Sequence, residues 1–271
     1  MAVRLIGVTA WALFSFLELQ AQTLGGALWA PGVTQALREV KLSVTVAGRI
    51  EAMQITEGSR VQQGQLLLHL DRTLEDLEIQ RRRLLLQDRA RIDELRQKEK
   101  VLQEQVQALR PLLVTGAVSR KQFEDEEIAL GSVSAERRAL EAAKEREQVE
   151  LLLALEAYER RHLRSPISGV VTKLAARQGE NISPSEPTIT VVDTSRVRFI
   201  AAVPASAGYR LRTGATVRVE LGQEAQVRMR QAQVVFVSPV TDPSSGLVEV
   251  IAEFDNPDGS VRPGITGRMA F

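Results

Sequence analysis

The chemical resources of this 271-residue chain are small: two histidines, no cysteine and 4% aromatic residues. Without cysteine there are no disulfides, thiolate zinc sites, iron–sulfur clusters or cysteine nucleophile. His69 and His162 bracket a long polar segment. Brought together at its base, two imidazoles could bind a metal or respond to pH. No carboxylate stands at a ligand spacing with both, so the simpler reading is a pair of partly exposed histidines without a ligand. A histidine-dependent triad has equally little to work with. The net charge of +1 and the scarcity of rings supply neither the field nor the stacking surfaces of a nucleic-acid binder. No catalytic, cofactor-binding or metal residue is assigned.

The segment between the histidines therefore organises the reading. From Thr73 to about Arg161 the chain is rich in Leu, Glu, Gln and Arg, and only Pro111 and Gly116 interrupt it firmly. Ile92, Leu95, Leu102, Val106, Leu109 and Leu113 form a seven-residue repeat with Glu99 as its polar exception. A second seam runs through Leu130, Val133, Leu140, Leu151, Ala154 and Tyr158, with Arg137, Lys144 and Glu147 as mismatches. This predicts two helices of roughly 40 residues, each on the order of 60 Å long, folded into an antiparallel coiled-coil hairpin. Pro111 should kink or end the outgoing helix. The turn falls at Thr115-Gly116-Ala117-Val118, and Ser119 with Gln122 makes a capping box that opens the return helix. The acids at 124–127 suit that helix N-terminus, and they and Arg81-Arg82-Arg83 read as solvated faces.

The flanks are different. Residues 40–71 and 163–194 alternate like half-buried strands. They also repeat one another: Gly48, Ile50, Gly58, Val61 and Leu70 correspond to Gly169, Val171, Gly179, Ile182 and Val191. Gly48, Gly58, Gly64, Gly169 and Gly179 are read as structural turns. Neither half is long enough for its own core, so the two are expected to pack as one sandwich. Residues 196–271 carry five candidate strands between turns, the last turn at Pro263-Gly264, and one short helix near 206–211. They predict a small β-barrel.

At the start, Arg4 and the apolar run Leu5–Leu17 read as an export signal over residues 1–22. The run has 13 residues, against roughly 20 for a bilayer span. A cleaved signal is favoured over an uncleaved anchor running on to Trp29, and either places the mature chain outside the cytoplasm.

These pieces in this order resemble the periplasmic adaptor subunits, or membrane fusion proteins, of tripartite efflux pumps (the HlyD/RND type). The carrying residues are Gly48-Arg49-Ile50, Glu57-Gly58-x-x-Val61-x-x-Gly64-Gln65-Leu66, Ser165-Pro166-Ile167-Ser168-Gly169-Val170-Val171, Gly179-Glu180-Asn181-Ile182, Asn256-Pro257 and Arg262-Pro263-Gly264. Each is weak alone; their order and spacing are specific. The resemblance implies an α+β, elongated multidomain fold: a split lipoyl-like β-sandwich (40–71 and 163–194), an inserted hairpin (72–162) and a six-stranded barrel (196–271). It implies a non-catalytic protein without cofactors, periplasmic and associated with the inner membrane. The implied partners are an inner-membrane transporter, RND-type favoured, an outer-membrane channel and further copies in a hexameric ring; nucleic acid is not among them. The hairpin tip would meet the channel. RND-type members carry Arg, then Leu four residues on, then Ser seven further. Leu112 and Ser119 fit, but Ala108 stands first, with Arg110 two residues away. The docking set read from this is Arg110, Leu112, Gly116, Ala117, Val118 and Ser119. The membrane-proximal domain of many members has no counterpart before Phe271, which would leave the pump contact mostly to the barrel.

Three rivals bear weighing. Glu51-Ala52-Met53-Gln54-Ile55 echoes a biotin-attachment site, but Gln54 has no amine to acylate, and the arm occupies the place of the carrier hairpin. A purely structural coiled coil leaves the duplicated β-segments unexplained. An adaptor of an ABC-type exporter keeps the family and changes the pump.

Overall fold

A computed structural model describes residues 28–222 and 228–271. The signal expected over residues 1–22 lies outside them. The elements run β1 (Trp29–Leu42), β2 (Gly48–Met53), β3 (Arg60–Val61), β4 (Leu66–Leu70), α1 (Thr73–Gln87), α2 (Ala90–Val114), α3 (Arg120–Glu159), β5 (His162–Arg164), β6 (Gly169–Leu174), β7 (Asn181–Ile182), β8 (Ile189–Pro204), α4 (Ala205–Gly208), β9 (Thr216–Leu221), β10 (Arg228–Thr241), β11 (Leu247–Asp255) and β12 (Thr266–Ala270). No described helix is long and apolar enough to cross a membrane. The chain divides into two compact units, one holding residues 28–40, 167–172 and 191–271, the other residues 41–166 and 173–190.

The first unit is a closed six-stranded barrel in the order β1-β12-β9-β10-β11-β8, with β8 pairing back to β1. Its core follows from period two. Val197, Phe199, Ala201 and Val203 of β8 are buried, as are Val217, Val219 and Leu221 of β9. Ala232 and Val234 of β10, Val250, Ala252 and Phe254 of β11, and Met269 of β12 complete the interior. Outward residues pair across strands, as Arg198 does with Glu253 opposite it, at 2.9 Å.

The sixth strand is not in the stretch from which the sequence predicted the barrel. It is β1, which starts at Trp29, eleven residues before the first expected strand, and pairs with β12 from Trp29↔Ala270 to Val33↔Thr266. Gly32 makes the closure sterically possible: a Cβ there would lie 2.4 Å from the Ile200 carbonyl oxygen and 2.6 Å from the Phe199 ring. Thr34, almost fully buried, then fixes the Pro263-Gly264 turn. Its hydroxyl accepts from the Ile265 N–H at 2.8 Å and donates towards the carbonyls of Arg262 and Ile265, while its own carbonyl accepts from Gly264 N–H. Buried Asn256 ties the preceding loop, donating to the Thr194 and Val261 carbonyls and accepting from Val261 N–H.

In the second unit a four-stranded sheet runs β5-β4-β2-β7. It takes β2 and β4 from before the helices and β5 and β7 from after them. Ile50 pairs with Leu70 and Gly48 with Ile182. Leu67, Leu68, Leu70 and Ile50 are fully buried in it. The repeat is visible at three of its pairs: Gly58 and Gly179 have φ of 87° and 89°, and Ile50 and Val171, like Leu70 and Val191, are buried. The second repeat does not stay in one unit, however. Residues 167–172 and 191–194 pack with the barrel and 173–190 with the first repeat.

The helical part departs from two uninterrupted helices. The outgoing arm is α1 and α2, separated by Asp88 in an extended conformation and Arg89; α3 returns as one helix of 40 residues. α3 packs on both, and the ion pairs Arg82–Glu147, Arg91–Glu136 and Arg110–Glu127 show that it runs antiparallel.

A side chain at Gly32 has no room beside β8, so Gly32→Val should destabilise the barrel by about 2 kcal/mol or more. Thermal unfolding followed by circular dichroism checks this against Val33→Ala, a change on the same strand that adds no atoms. Equal stability of the two variants would remove Gly32 from the closure.

Candidate functional site

The end of the helical hairpin is built by two caps. α2 continues through Pro111 to Val114 rather than stopping at the proline. Proline gives up the N–H that would reach the Gln107 carbonyl and its ring crowds that carbonyl, but its own carbonyl still accepts from Thr115 N–H at 3.2 Å. The helix then closes in a Schellman turn: Ala117 N–H bonds to the Leu112 carbonyl (2.9 Å) and Gly116 N–H to that of Leu113 (3.1 Å). Gly116 supplies the left-handed residue this needs, at φ 73°. Ser119 is extended and its Oγ accepts from Gln122 N–H at 3.2 Å, the N-cap of α3. The first turn of α3 contains no acid. The acids at 124–127 begin one turn later, where Glu124 pairs with Arg120 at 2.9 Å and Glu127 with Arg110 at 3.8 Å.

These caps display an apolar end. Leu112 is 43% exposed and Val114 86%; Ala117 is exposed and Val118 half-buried. The structure therefore places Arg110, Leu112, Gly116, Ala117, Val118 and Ser119 in one short segment. Gly116 and Ser119 both serve its conformation. Val114, the most exposed apolar side chain of the tip, was not singled out in the sequence, because it belongs neither to the spacing the resemblance supplied nor to the turn at 115–118.

Between tip and base the helices are held by apolar contacts and charge. Ile92, Leu95, Val106, Phe123 and Val133 are buried. The polar residues that broke the two seams find partners. Glu99 and Arg137 bond to each other, and Arg137 also bonds to Glu141. Glu147 pairs with Arg82 at 3.3 Å. Lys144 donates to the Leu85 carbonyl at 2.5 Å, close to the α1–α2 break. The Arg137 guanidinium holds the Glu99 carboxyl below its ordinary range, and does the same to Glu141. Arg81 and Arg82 hold Glu78 at about 2. Arg81 and Arg82 thus have carboxylate partners rather than a purely solvated face.

At the base, β4 and β5 set His69 opposite His162, with ring centroids 6.0 Å apart. Their partners give them structural work. His162 Nδ1 donates to the Tyr158 carbonyl (3.0 Å), and its Nε2 accepts from Arg72 Nη1 (2.5 Å). Arg72 also stacks on the Tyr158 ring. His69 Nδ1 lies 3.2 Å from a Glu51 carboxylate oxygen. A ring nitrogen facing a guanidinium does not ligate a cation. Among the described residues no group of three His, Asp or Glu could hold a metal. Nearby, Asp71 accepts from the N–H and hydroxyl of Thr73 and so caps α1, and these bonds lower its pKa.

The glycines read as turns divide. Gly58, Gly64, Gly179 and Gly264 have positive φ. Gly48 and Gly169 do not: each is the first residue of a strand, β2 and β6. Close approach requires glycine at 169, where a Cβ would lie 2.4 Å from the Val192 carbonyl oxygen, whereas a Cβ on Gly48 would press only on the side chains of Arg161 and Leu70, at 3.0 and 3.2 Å.

The carboxylates held low by arginine fix a pH dependence. Their contribution to the helical pair is complete above the ordinary glutamate value of 4.5 and is lost as pH falls below it, for Glu78 towards about 2. Arg137→Met should move the acid unfolding midpoint of the helices to higher pH, as measured by helicity during acid titration. An unchanged midpoint would show that the Glu99–Arg137 pair contributes nothing.

Comparison with known proteins matches this arrangement. The model for the barrel-sandwich hybrid domain of RND membrane fusion proteins covers residues 38–194, and that for the CusB-like β-barrel domain covers residues 197–271. An uncharacterized protein of Haemophilus influenzae (strain ATCC 51907 / DSM 11121 / KW20 / Rd) is 24% identical over 90% of this chain; the chain spans 56% of that relative. The crystal structure of MacA from Actinobacillus actinomycetemcomitans superposes with a TM-score of 0.73 at 21% identity, covering 90% of this chain and 78% of that one. The membrane fusion protein Spr0693 from Streptococcus pneumoniae R6 gives 0.59 at 14% identity, over 89% and 96%. Two adjoining domain models that together account for residues 38 to 271 place the chain in the RND-type membrane fusion protein family.

Proposed function

We propose that the protein is a non-catalytic periplasmic adaptor of a tripartite efflux or export system. It links an inner-membrane transporter, with an RND-type partner favoured, to an outer-membrane channel. The observation that carries this reading is the apolar, exposed helical tip in a chain whose remainder matches the two domains of the family. Much of this apolar surface is not used within the chain, and exposed apolar side chains on a stiff projection are suited to insert between the helices of a partner.

In this reading the domains act as a split lipoyl-like sandwich (40–71 and 163–194), a coiled-coil hairpin (72–162) and a barrel (196–271 with β1). Copies assemble side by side, with a hexameric ring as the expected state. The lower hairpin suits lateral contact. Leu74, Leu77 and Leu84 of α1 are exposed at helical spacing, as are Val149, Leu152 and Leu153 of α3. Buried between neighbours, these faces would close a tube whose outer end is the tip. The channel contact then falls to Leu112, Val114, Ala117 and Val118, with Gly116 and Ser119 keeping the turn in shape and Arg110 at its edge. Cargo passes through the assembly, so the adaptor needs no catalytic group.

Leu112→Asp combined with Val114→Asp should abolish export and co-purification with the channel, because charges would replace the apolar end contact. Both side chains already face solvent, so helicity and thermal unfolding should be unchanged. Gly116→Ala separates shape from contact. It strains the Schellman turn by about 1 kcal/mol and should reduce export only in part. Full export by the double aspartate variant, expressed at the normal level, would refute the tip assignment.

A further inference from the structure

We infer that one end of the β-barrel rests on an anionic phospholipid surface, through Tyr209, Pro239 and Val240 with Arg210 and Arg212 beside them. Strand register defines that end. β8 and β10 finish there, β9 and β11 start there, and the pairs Trp29↔Ala270 and Leu247↔Pro204 lie at it. Between Val237 and Thr241 the ladder of β10 with β11 is interrupted: four residues advance on β10 for two on β11. The surplus is a bulge, Ser238-Pro239-Val240, held by the Ser238 hydroxyl, which bonds to both the N–H and the carbonyl of Val240. A bulge of this kind re-aims a side chain, and here Val240 is left 70% exposed. Tyr209, just after α4, is 71% exposed, with its hydroxyl 3.2 Å from that of Thr241. The ring and the valine thus belong to one displayed patch.

Charge and composition commit the patch to lipid. Residues 204–215 and 238–247 carry Arg210 and Arg212 and a single carboxylate, Asp242. Asp242 is engaged by the N–H groups of Ser244 and Ser245 and by the Ser244 hydroxyl. An exposed tyrosine and valine flanked by arginine has the composition of an interfacial contact, in which rings and aliphatic groups enter the headgroup layer and guanidinium groups meet phosphate. The chain enters this end of the barrel at Leu28, itself exposed. β1 and β8 continue beyond the barrel from the opposite end. The inference does not depend on the docking role of the helical tip, and either can fail without the other.

Because the chain has no cysteine, single-cysteine labelling tests this directly. The full chain carrying Val240→Cys, with an environment-sensitive fluorophore, is reconstituted into phosphatidylethanolamine–phosphatidylglycerol vesicles containing a headgroup-depth quencher. Met229→Cys, on the opposite end of the barrel, is the control. We expect strong quenching at 240 and little at 229, with loss of the difference in phosphatidylcholine vesicles or when Arg210→Glu and Arg212→Glu are added. Tyr209→Cys gives a second report on the same surface should Val240→Cys perturb the bulge. Equal quenching at both ends, or none at 209 and 240, overturns the inference. So does shielding of 240 that appears only when a membrane transporter is added, which would assign the surface to a protein partner.

Discussion

The constraint on which the structure depends is the pairing of β4 with β5. An insertion of about ninety residues can leave and re-enter a small sheet only if its two ends are held together. Here the ends are neighbours in one ladder: His69 faces His162, and Leu70 N–H bonds to the Arg161 carbonyl at 2.8 Å. Asp71 N–H bonds to the Arg49 carbonyl on the next strand, and Arg161 reaches Glu75 on α1 and the Ala47 carbonyl. The helices therefore start from a base that is itself part of the hydrogen-bonded sheet. The same logic gives the histidines their place. They are cross-strand partners at the root of the arm, and His162 completes a stack of Tyr158 and Arg72 rather than a ligand set.

Along the arm, polar residues inside the apolar seams are matched in pairs instead of being excluded. An unpaired charge at such positions would cost its desolvation; Glu99 opposite Arg137 and Glu147 opposite Arg82 avoid that. Each pair is also possible at only one alignment of α3 with the outgoing helices, because shifting the register would separate both at once. Charge pairing thus contributes to where the helices sit, and the buried aliphatic residues contribute most of their adhesion.

Much of this was legible in sequence. The two repeats were visible as glycines and apolar residues at matching spacing, and Gly58 and Gly179 adopt nearly equal φ. The tip was visible because Gly116 and Ser119 are strong cap residues with local causes. What escaped had non-local causes. β1 contains Pro31 and Gly32, which argue against a strand when read alone; its partners, β8 and β12, are far away in the chain, and only they make it one. The role of Thr34 depends on the 262–265 turn meeting it. Gly169 looked like a turn glycine, since sequence does not distinguish a positive φ from a strand that passes too close for a Cβ. The redistribution of the second repeat between two units has no local signature at all.

The break between α1 and α2 has no glycine or proline to announce it, yet the geometry of the arm requires it. Ile79 is the buried residue of α1, and Ile92 and Leu95 are the first of α2. In an unbroken helix of 3.6 residues per turn, Ile79 and Ile92 would lie about 220° apart around the axis. One of them would then point away from α3. Interrupting the helix at Asp88 and Arg89 resets the phase, as insertions do in long heptad arrays, and lets both α1 and α2 face the same uninterrupted α3. The ends this creates are satisfied locally: Asp88 Oδ1 accepts from Ala90 N–H, Asp88 N–H bonds to the Leu84 carbonyl, and Lys144 meets the Leu85 carbonyl. The break is therefore a consequence of asking one continuous helix to partner two apolar stripes that are out of phase.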